Sequence, residues 1–374
     1  MNSKFEKRLS ELSKLKGYQK PQKVSDAIKL DSNENFAIKK EFQAELIREA
    51  QKRCDVRQYP LGDVENLISE LAKYLKVPVN MIGVGNGSDQ ILDLMLVNLC
   101  SKKTKILTSD PTFGFFEERC KLYSIPTIKI PFSEKMKLNI DDFIKKSSSA
   151  DMIYLDSPNN PTGFQFTRSE LKKLIKSFRG PIIIDEAYVE FADSSVVSLV
   201  KQFDNLIVVR TLSKAFGLAG LRLGYFAASK KIVDVFTKII QYPYPLNTLA
   251  IQCGILALEK SNKITTIFSL IKNERKKIIQ NLRKTGAFDV FDSNANFVLF
   301  DARGADRRVY NALIEQGISI RKLGKLGIHK GCLRVTIGTS EMNSKFLLAI
   351  RDLLEWLWKI IQAVCLSQIQ LLMM

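Results

Sequence analysis

The stretch Thr211–Tyr225, with the sequence TLSKAFGLAGLRLGY, carries one lysine, Lys214, shortly after a predicted strand. The run before it, Phe203–Arg210, is short, apolar and rich in β-branched residues, and a polar residue closes it, which is typical of a buried strand. Open α/β sheets bind their ligands at the carboxyl ends of their strands. Lys214 is therefore either an ordinary surface lysine or a functional amine.

The residues around Lys214 favour a functional amine. Thr211 and Ser213 place hydroxyl groups beside the lysine, and the small residues of Gly217–Gly220 permit a close approach of the backbone. Arg222 follows about two helical turns after the lysine. Such surroundings are typical of a lysine that forms a Schiff base beside an anion site.

The composition limits the possible functions. The chain has 374 residues, of which 45% are hydrophobic, and this is enough for a large core and two domains. Its one histidine, His329, excludes a two-histidine metal motif and leaves a Ser-His-Asp triad possible only through that residue. The cysteines are scattered without a C-x-x-C pair, which indicates reduced thiols rather than disulfides or a zinc site. With neither metal motif in the sequence, we expect no metal. The charged N-terminus lacks the apolar segment of a signal peptide, so we expect a cytoplasmic protein.

The formal net charge of +18 does not predict a nucleic-acid-binding protein. The basic residues are dispersed among acidic ones and are not interleaved with aromatic residues in a known binding module. We expect the charge to attract anionic substrates. The tail Trp356–Met374 is strongly apolar, but Lys359 and several glutamines interrupt it, so it falls short of a membrane span. We expect the tail to pack on the C-terminal domain, with peripheral membrane contact as the alternative.

A glycine-rich loop, Ile82–Gln90, reads IGVGNGSDQ and precedes a predicted helix, Gln90–Leu99. We expect Ser88 or Asp89 to cap this helix, whose N-terminus would offer N–H groups to an anion. The spacing of the glycines matches neither G-x-G-x-x-G nor the Walker loop, because the last glycine is missing in the first case and G-K-[ST] in the second.

Three more predicted strands end in residues that carry chemistry. Phe113 follows the strand Thr104–Thr108, and an aromatic residue there is usually core or lid. The strand Met152–Leu155 leads into SPNNPTG, which contains Asn160 and is either an ordinary turn or a rigid binding loop. The apolar run that starts at Gly180 ends in Asp185, which could cap a helix or bind a ligand, and Tyr188 follows three residues later. Because Asn160, Asp185 and Lys214 all follow strand ends, we expect them to converge on one ligand.

These motifs resemble, in the same order, those of the fold-type I pyridoxal-phosphate (PLP) enzymes, and specifically those of the histidinol-phosphate aminotransferases. The resemblance runs from about Asp31 to Thr339. It implies a PLP-transferase α/β fold with a large domain that holds a mainly parallel seven-stranded sheet, and an active site at a homodimer interface. Predicted strands and helices after the helical segments over Thr248–Lys284 agree with a smaller C-terminal α/β domain. We therefore expect an N-terminal arm over 1–36, a large PLP-binding domain over 37–255 and a small domain over 256–374.

The resemblance also implies roles for individual residues. Lys214 would bond the cofactor, pyridoxal 5'-phosphate, while Asp185 would keep the pyridine nitrogen protonated and so improve the ring as an electron sink. Asn160 and Tyr188 would hold the phenolic oxygen, and Phe113 would stack on the ring. The cofactor's other contacts, mainly to its phosphate, would come from Gly87, Ser88, Asp89, Thr211, Ser213, Arg222 and, across the dimer interface, Tyr59 of the RQYP element.

The substrate would meet Tyr18, Asn35, Arg321 and Arg334. Asn35 belongs to an N-E-N element that the family continues with proline, whereas Phe36 stands here. Arg334 lies in an apolar predicted strand, where an unpaired charge is costly, so it should meet an anion, either a salt-bridge partner or a substrate carboxylate.

The predicted reaction is transamination between an amino donor, expected to be glutamate, and a small phosphorylated ketone such as imidazole-acetol phosphate. Other phosphorylated ketones remain open as substrates. So does decarboxylation of a phosphorylated amino acid such as serine or threonine phosphate. A non-catalytic regulator with this fold is a further alternative, against which the intact lysine, aspartate and asparagine speak.

Overall fold

The computed structural model describes residues 3–15, 17–18 and 24–372. The strands are β1 (Ile28–Leu30), β2 (Ile82–Asn86), β3 (Ile106–Asp110), β4 (Thr127–Pro131), β5 (Met152–Asp156), β6 (Ile182–Asp185), β7 (Leu206–Thr211), β8 (Leu223–Ala227), β9 (Asp289–Val290), β10 (Phe297–Asp301), β11 (Ile318–Leu326) and β12 (His329–Thr336). The α-helices are α1 (Ser3–Ser13), α2 (Lys40–Gln51), α3 (Asp63–Leu75), α4 (Gly87–Leu99), α5 (Gly114–Tyr123), α6 (Ile140–Ser147), α7 (Arg168–Ser177), α8 (Lys230–Val235), α9 (Thr248–Glu259), α10 (Ser261–Lys284), α11 (Asp306–Glu315) and α12 (Ser340–Leu372).

The larger sheet has seven strands in the order β2-β8-β7-β6-β5-β3-β4. Only β8 runs antiparallel to its neighbours, and the remaining pairs are parallel. The strands β5, β6 and β7 are buried along their whole length, as expected for parallel strands with both faces covered. The predicted mainly parallel seven-stranded sheet is confirmed.

The central strands bring the predicted site residues to one edge of this sheet. Asp156 and Asp185, the last residues of β5 and β6, are direct partners in the parallel register. The next strand, β7, ends at Thr211, three residues before Lys214. Because parallel strands present their carboxyl ends at the same edge, the loops that follow them form one site.

The smaller sheet has five strands in the order β1-β11-β12-β10-β9. Its first strand, β1, comes from the predicted N-terminal arm and pairs in parallel with β11. The arm therefore contributes a strand to this sheet. The predicted boundary at 255/256 falls inside α9, and the division into domains stays a prediction.

Several predicted boundaries change. The helix expected over Gln90–Leu99 begins at Gly87, because the positive φ of Gly87 (78°) turns the chain directly from β2 into α4. Capping by Ser88 or Asp89 is therefore wrong, since both lie in the first turn. The N-cap residue is Asn86, whose own side chain makes no capping hydrogen bond. The side chain of Gln90 instead accepts a hydrogen bond from the Asn86 N–H at 2.7 Å.

The C-terminal half follows the predicted succession of helices and strands. The helical segments predicted over Thr248–Lys284 are two helices, which separate at Lys260. The strand β11 continues past Arg321 to Leu326, because it pairs antiparallel with β12. The tail continues α12 to Leu372. The prediction that the tail packs on the C-terminal domain concerns side chains that, from residue 360 onwards, lie outside the described part of the structure. None of the described helices is long and apolar enough to cross a membrane.

Candidate active site

A cavity of about 420 Å³ lies at the carboxyl ends of β5, β6 and β7. Most of the predicted site residues line it, namely Tyr18, Ser88, Asp89, Phe113, Asn160, Asp185, Tyr188, Thr211, Ser213, Lys214, Arg222, Arg321 and Arg334. The structure thus brings together residues that are separated by more than three hundred positions in the chain.

The amine of Lys214 is held inside this cavity. Its Nζ donates a hydrogen bond to the backbone carbonyl of Ser32 at 3.0 Å. Burial lowers the pKa of the Lys214 amine to about 8, and the positive charge of Arg334 acts in the same direction. A lysine with this pKa has a far larger neutral fraction near pH 7 than an ordinary lysine, and its neutral form can act as a nucleophile.

Asp185 is a buried carboxyl group without a cationic partner among the described side chains. Its Oδ2 accepts a hydrogen bond from the Tyr154 hydroxyl at 3.2 Å, and its Oδ1 accepts one from the Ala187 N–H at 3.0 Å. Burial raises the pKa of Asp185 to about 7, and the nearby Asp156 carboxylate adds to this shift. A ligand with a protonated ring nitrogen would supply the missing positive charge.

Asp156 was missed by sequence reasoning and organises the loop that carries Asn160. Its two oxygens accept hydrogen bonds from the Thr112 hydroxyl (3.1 Å), the Asn159 amide (2.8 Å) and the Asn160 N–H (2.7 Å). Burial raises the pKa of Asp156 to about 6. The signal was present in the sequence, because Asp156 ends an apolar strand in the same way as Asp185.

Tyr188 and Asn160 meet on one side of the cavity. The Tyr188 hydroxyl accepts hydrogen bonds from the side-chain amides of Asn33, at 3.0 Å, and Asn160, at 3.4 Å. Burial raises the pKa of Tyr188, so its hydroxyl keeps the proton and can donate it in a hydrogen bond to a ligand oxygen. Asn33 is a second residue that the sequence did not reveal.

An anion-binding cradle forms where α4 begins. Ser88 and Asp89 lie in the first turn of α4, and Arg222 Nη2 donates to Asp89 Oδ2 at 2.8 Å. On the other side, the hydroxyl oxygens of Thr211 and Ser213 lie 2.9 Å apart. Free N–H groups at a helix N-terminus, two hydroxyls and a guanidinium are together suited to a phosphate group.

Glycines make this cradle possible. A Cβ atom on Gly87 would lie 2.4 Å from Arg222 Nη2, and one on Gly224 would lie 2.2 Å from the Gly87 carbonyl carbon. The strand β8 can therefore approach the start of α4 only because both positions lack a side chain.

Arg334 carries a buried charge that no described carboxylate neutralises. Only 7% of the residue is exposed, and its donors reach the Asp31 carbonyl at 3.0 Å and the Asn160 side-chain oxygen. Its Nε atom is buried and has no hydrogen-bond partner among the described residues. The salt-bridge alternative is thus not what the structure shows, and the guanidinium is available to an anionic ligand. Arg321 lies beside it, with its guanidinium carbon 5.8 Å from the centre of the Tyr18 ring.

Three predicted site residues do not line the cavity. Asn35 is buried and uses its side chain to donate to the Ala215 carbonyl at 2.9 Å, so it supports the backbone next to Lys214 instead of facing a substrate. Gly87 lies behind the cradle, next to Arg222. Tyr59 is 70% exposed and stacks on Tyr244 with a ring-centre distance of 4.3 Å, and its predicted contact with a neighbouring subunit stays a prediction.

The residues present fit pyridoxal 5'-phosphate. The cavity combines a nucleophilic lysine, a buried acid that lacks a cation, and a phosphate-type cradle, which match the cofactor's aldehyde, ring nitrogen and phosphate. No group of histidine, cysteine or acidic side chains in the described part of the chain is arranged to hold a metal ion.

Comparison with known proteins agrees with this chemistry. Residues 25–350 match the family model of the class I and II aminotransferases. The histidinol-phosphate aminotransferase of Thermoanaerobacter sp. (strain X514) is 34% identical over 328 residues, which cover 87% of this chain and 93% of that protein. The crystal structure of the histidinol-phosphate aminotransferase from Clostridium acetobutylicum is similar with a TM-score of 0.79 and 29% identity, over 87% of this chain and 98% of that one.

A further solved structure is similar in fold. The crystal structure of L-threonine-O-3-phosphate decarboxylase from Porphyromonas gingivalis has a TM-score of 0.77 and 24% identity, over 88% of this chain and 99% of that one. The predicted family, fold class and cofactor are confirmed. The chain belongs to the class I and II aminotransferases and is a pyridoxal-phosphate-dependent aminotransferase that acts on amino-acid and keto-acid substrates.

Proposed function

We propose that this enzyme transfers an amino group between glutamate and a small phosphorylated ketone. The name of its relatives, histidinol-phosphate aminotransferase, supports a phosphorylated substrate. The observation that carries the proposal is the buried guanidinium of Arg334, which has an unpartnered Nε among the described residues and lies beside a second arginine, Arg321. A substrate with a carboxylate or phosphate would neutralise this pair.

We assign roles to the residues of the cavity on this basis. The bound cofactor supplies an electron sink for the bonds around the substrate amine carbon. Lys214 would bond the cofactor and, when released, could accept or donate a proton at its Nζ. Asp185 would hold a proton at the ring nitrogen, whereas Tyr188 and Asn160 would donate hydrogen bonds to the ring oxygen. Phe113 would cover the ring and exclude water from it.

The phosphate group would be held by the cradle. Its donors would be the N–H groups of the first turn of α4, the side chains of Ser88, Thr211 and Ser213, and Arg222. Asp89 keeps Arg222 in place through the 2.8 Å contact between them. We propose that Tyr18 closes the substrate end of the cavity, because its ring lies against Arg321.

We propose a homodimer in which the partner's Tyr59 completes the phosphate site. Tyr59 is exposed and lies in a patch with the exposed side chains of Leu61, Tyr242 and Tyr244. Apolar residues scattered singly are normal on a protein surface, whereas a contiguous patch indicates an interaction site. A second copy of the chain would cover this patch. We further propose a cytoplasmic enzyme, because the described cysteines are free thiols. We also propose that the chain consists of an arm over 1–36, a large domain over 37–255 and a small domain over 256–374.

The test is a substrate panel read by the visible absorbance of the yellow enzyme. Histidinol phosphate and glutamate should each convert the cofactor to its amine form, and 2-oxoglutarate should reverse the change. Unphosphorylated histidinol should react much more slowly, because it lacks the phosphate that would pair with the arginines. Release of carbon dioxide from threonine phosphate or serine phosphate, without formation of the amine form, would instead identify a decarboxylase.

A further inference from the structure

A five-residue segment, Asp31–Asn35, passes beside Lys214, and we refer to it as the strap. Its first three residues line the cavity. The Ser32 carbonyl accepts the hydrogen bond from Lys214, and the Asn35 amide donates to the carbonyl of Ala215, the next residue along the chain. The strap is thus bound to the lysine and to the backbone beside it.

The strap is also fixed at its other end by the smaller sheet. The Asp31 carboxylate accepts a hydrogen bond from the Ser319 hydroxyl at 2.7 Å, and the Asn33 carbonyl accepts one from the Asn296 amide at 3.0 Å. Ser319 lies in β11 and Asn296 directly precedes β10. The strap therefore keeps a defined position beside Lys214.

Within the strap, Glu34 has a buried side-chain oxygen that lacks a hydrogen-bond partner among the described residues. Its Oε1 contacts the ammonium group of Lys29, but its Oε2 is buried and has no hydrogen-bond partner in the described chain. A buried acceptor without a donor is costly, so its retention needs a reason. The amine that the same strap holds is that of Lys214.

We propose that Glu34 is a positioning residue that sets the charge of Lys214 whenever its amine is not bonded to the cofactor, and that Lys29 limits this effect. The proposal rests on Lys214 being the cofactor lysine. After transfer of the cofactor to the substrate, a protonated lysine would be held at the Ser32 carbonyl and favoured by the Glu34 carboxylate. A neutral lysine would be ready to bond the cofactor again.

Charged groups from several elements oppose one another around Lys214. Arg334 of β12 and Arg222 favour the neutral amine, as burial does. Glu34 of the strap and Asp89 of α4 favour the ammonium form. The neutral Tyr188 ring, whose centre is 5.8 Å from Nζ, completes the surroundings. Removal of one acidic group should therefore shift the balance measurably.

The experiment measures how fast the cofactor-free, full-length protein captures added pyridoxal 5'-phosphate as a function of pH. Capture requires the neutral amine, so the midpoint of the profile reports the protonation of Lys214. Glu34→Gln should move the midpoint to lower pH by roughly 0.5–1 unit, the size expected for loss of a partly buried opposite charge. Lys29→Gln should move it to higher pH, because Glu34 loses its competing cation.

Two further variants serve as controls. Glu34→Asp retains the charge and should restore a midpoint near that of the unmodified protein, which a purely structural role would not predict. Glu315→Gln changes the net charge equally at an exposed position of α11 and should leave the midpoint unchanged. Borohydride trapping followed by peptide mapping checks that Lys214 is the residue captured.

An unchanged midpoint in Glu34→Gln would overturn the inference, and so would shifts of the same sign in Glu34→Gln and Lys29→Gln, which would mean only that the strap had loosened. If Glu34→Gln does not fold, the opposite variant, Lys29→Gln, still decides, because an unchanged or lowered midpoint contradicts the proposal. Trapping at a lysine other than Lys214 would instead refute the proposed function of the cavity.

Discussion

Arg321 and Arg334 lie directly opposite each other on the antiparallel strands β11 and β12. Residues paired in this way project to the same face of the sheet, and like charges there are destabilising. Both side chains line the cavity. Since the charge of Arg321 also lowers the pKa of Arg334, after the larger effect of burial, an anionic ligand between them would relieve a repulsion that the protein maintains.

We expect the two arginines to differ in the half-reaction they serve. Arg334→Lys should impair the glutamate half-reaction, because lysine lacks the planar fork that pairs with a carboxylate. Arg321→Lys should slow the half-reaction with the phosphorylated substrate more than the glutamate half-reaction. Each loss should cost on the order of 2–5 kcal/mol if the partner charge is left buried. Single-turnover absorbance measures the two half-reactions separately, and equal, small effects on both would show that the anion site lies elsewhere.

Gly224 tests the phosphate cradle. In Gly224→Ala the new methyl group would lie 2.3 Å from the Ser88 nitrogen, so β8 and the start of α4 must separate. We expect a loss of roughly 1–3 kcal/mol in stability. The affinity for pyridoxal 5'-phosphate should fall by about tenfold or more, the equivalent of about 1.4 kcal/mol.

The matched control is Gly220→Ala, because nothing lies within 4 Å of a Cβ atom at that position. Its melting temperature and cofactor affinity should stay close to those of the unmodified protein. Equal cofactor affinities in the two variants, measured by fluorescence titration, would show that the approach of β8 to α4 does not shape the phosphate site.

Asp185 should make the cofactor-free protein sensitive to pH. Its pKa is about 7 when folded, and roughly 3.9 when unfolded, so the folded state binds the proton more tightly. The resulting stability is complete below about pH 4 and is lost as the pH rises towards 7. Asp185→Asn should therefore raise the free energy of unfolding of the cofactor-free protein at pH 8, by up to about 4 kcal/mol, with a smaller gain at pH 5.

The same substitution should slow turnover by roughly three decades, because a neutral amide cannot stabilise a positive ring nitrogen. Thermal unfolding with and without cofactor, together with the rate of the glutamate half-reaction, measures both effects. Near-normal turnover in Asp185→Asn would mean that another residue holds the ring nitrogen in its protonated form.

Tyr59 tests the shared active site. Lys214→Ala and Tyr59→Phe should each be severely impaired alone. A mixture after subunit exchange should recover about a quarter of the full activity, since half of the dimers are mixed and each contains one intact site. An active monomer in solution, or no recovery on mixing although exchange occurs, would contradict a contact from the partner's Tyr59.

The sequence was sufficient for the parts of the site that lie in short, contiguous motifs. Asp185 and Lys214 each follow an apolar run that forms a strand, and the parallel order of β6 and β7 brings the two residues to one edge. The loop that carries Asn160 was found in the same way. These residues were predictable because local periodicity identifies the strands, and a parallel sheet places the carboxyl ends of its strands at one edge.

The remaining residues depend on contacts that no local pattern reveals. Asn33 reaches Tyr188 only because β1 joins the smaller sheet through a parallel pair with β11. Asn35 was expected to face the substrate, but its side chain is used by the Ala215 carbonyl, which only the folded chain places beside it. The start of α4 was misplaced because Gly87 turns the chain into the helix with a positive φ, which the helical periodicity of the sequence does not reveal.

The most direct test of the account is the identity of the lysine that bonds the cofactor. The purified yellow enzyme would be reduced with borohydride, digested, and analysed by peptide mass spectrometry, with Lys214→Ala as the control. We predict a single modified peptide that contains Lys214, and no stable modification in Lys214→Ala although the cradle still binds the cofactor phosphate. A modified peptide that contains a different lysine would contradict the assignment of this cavity as the active site.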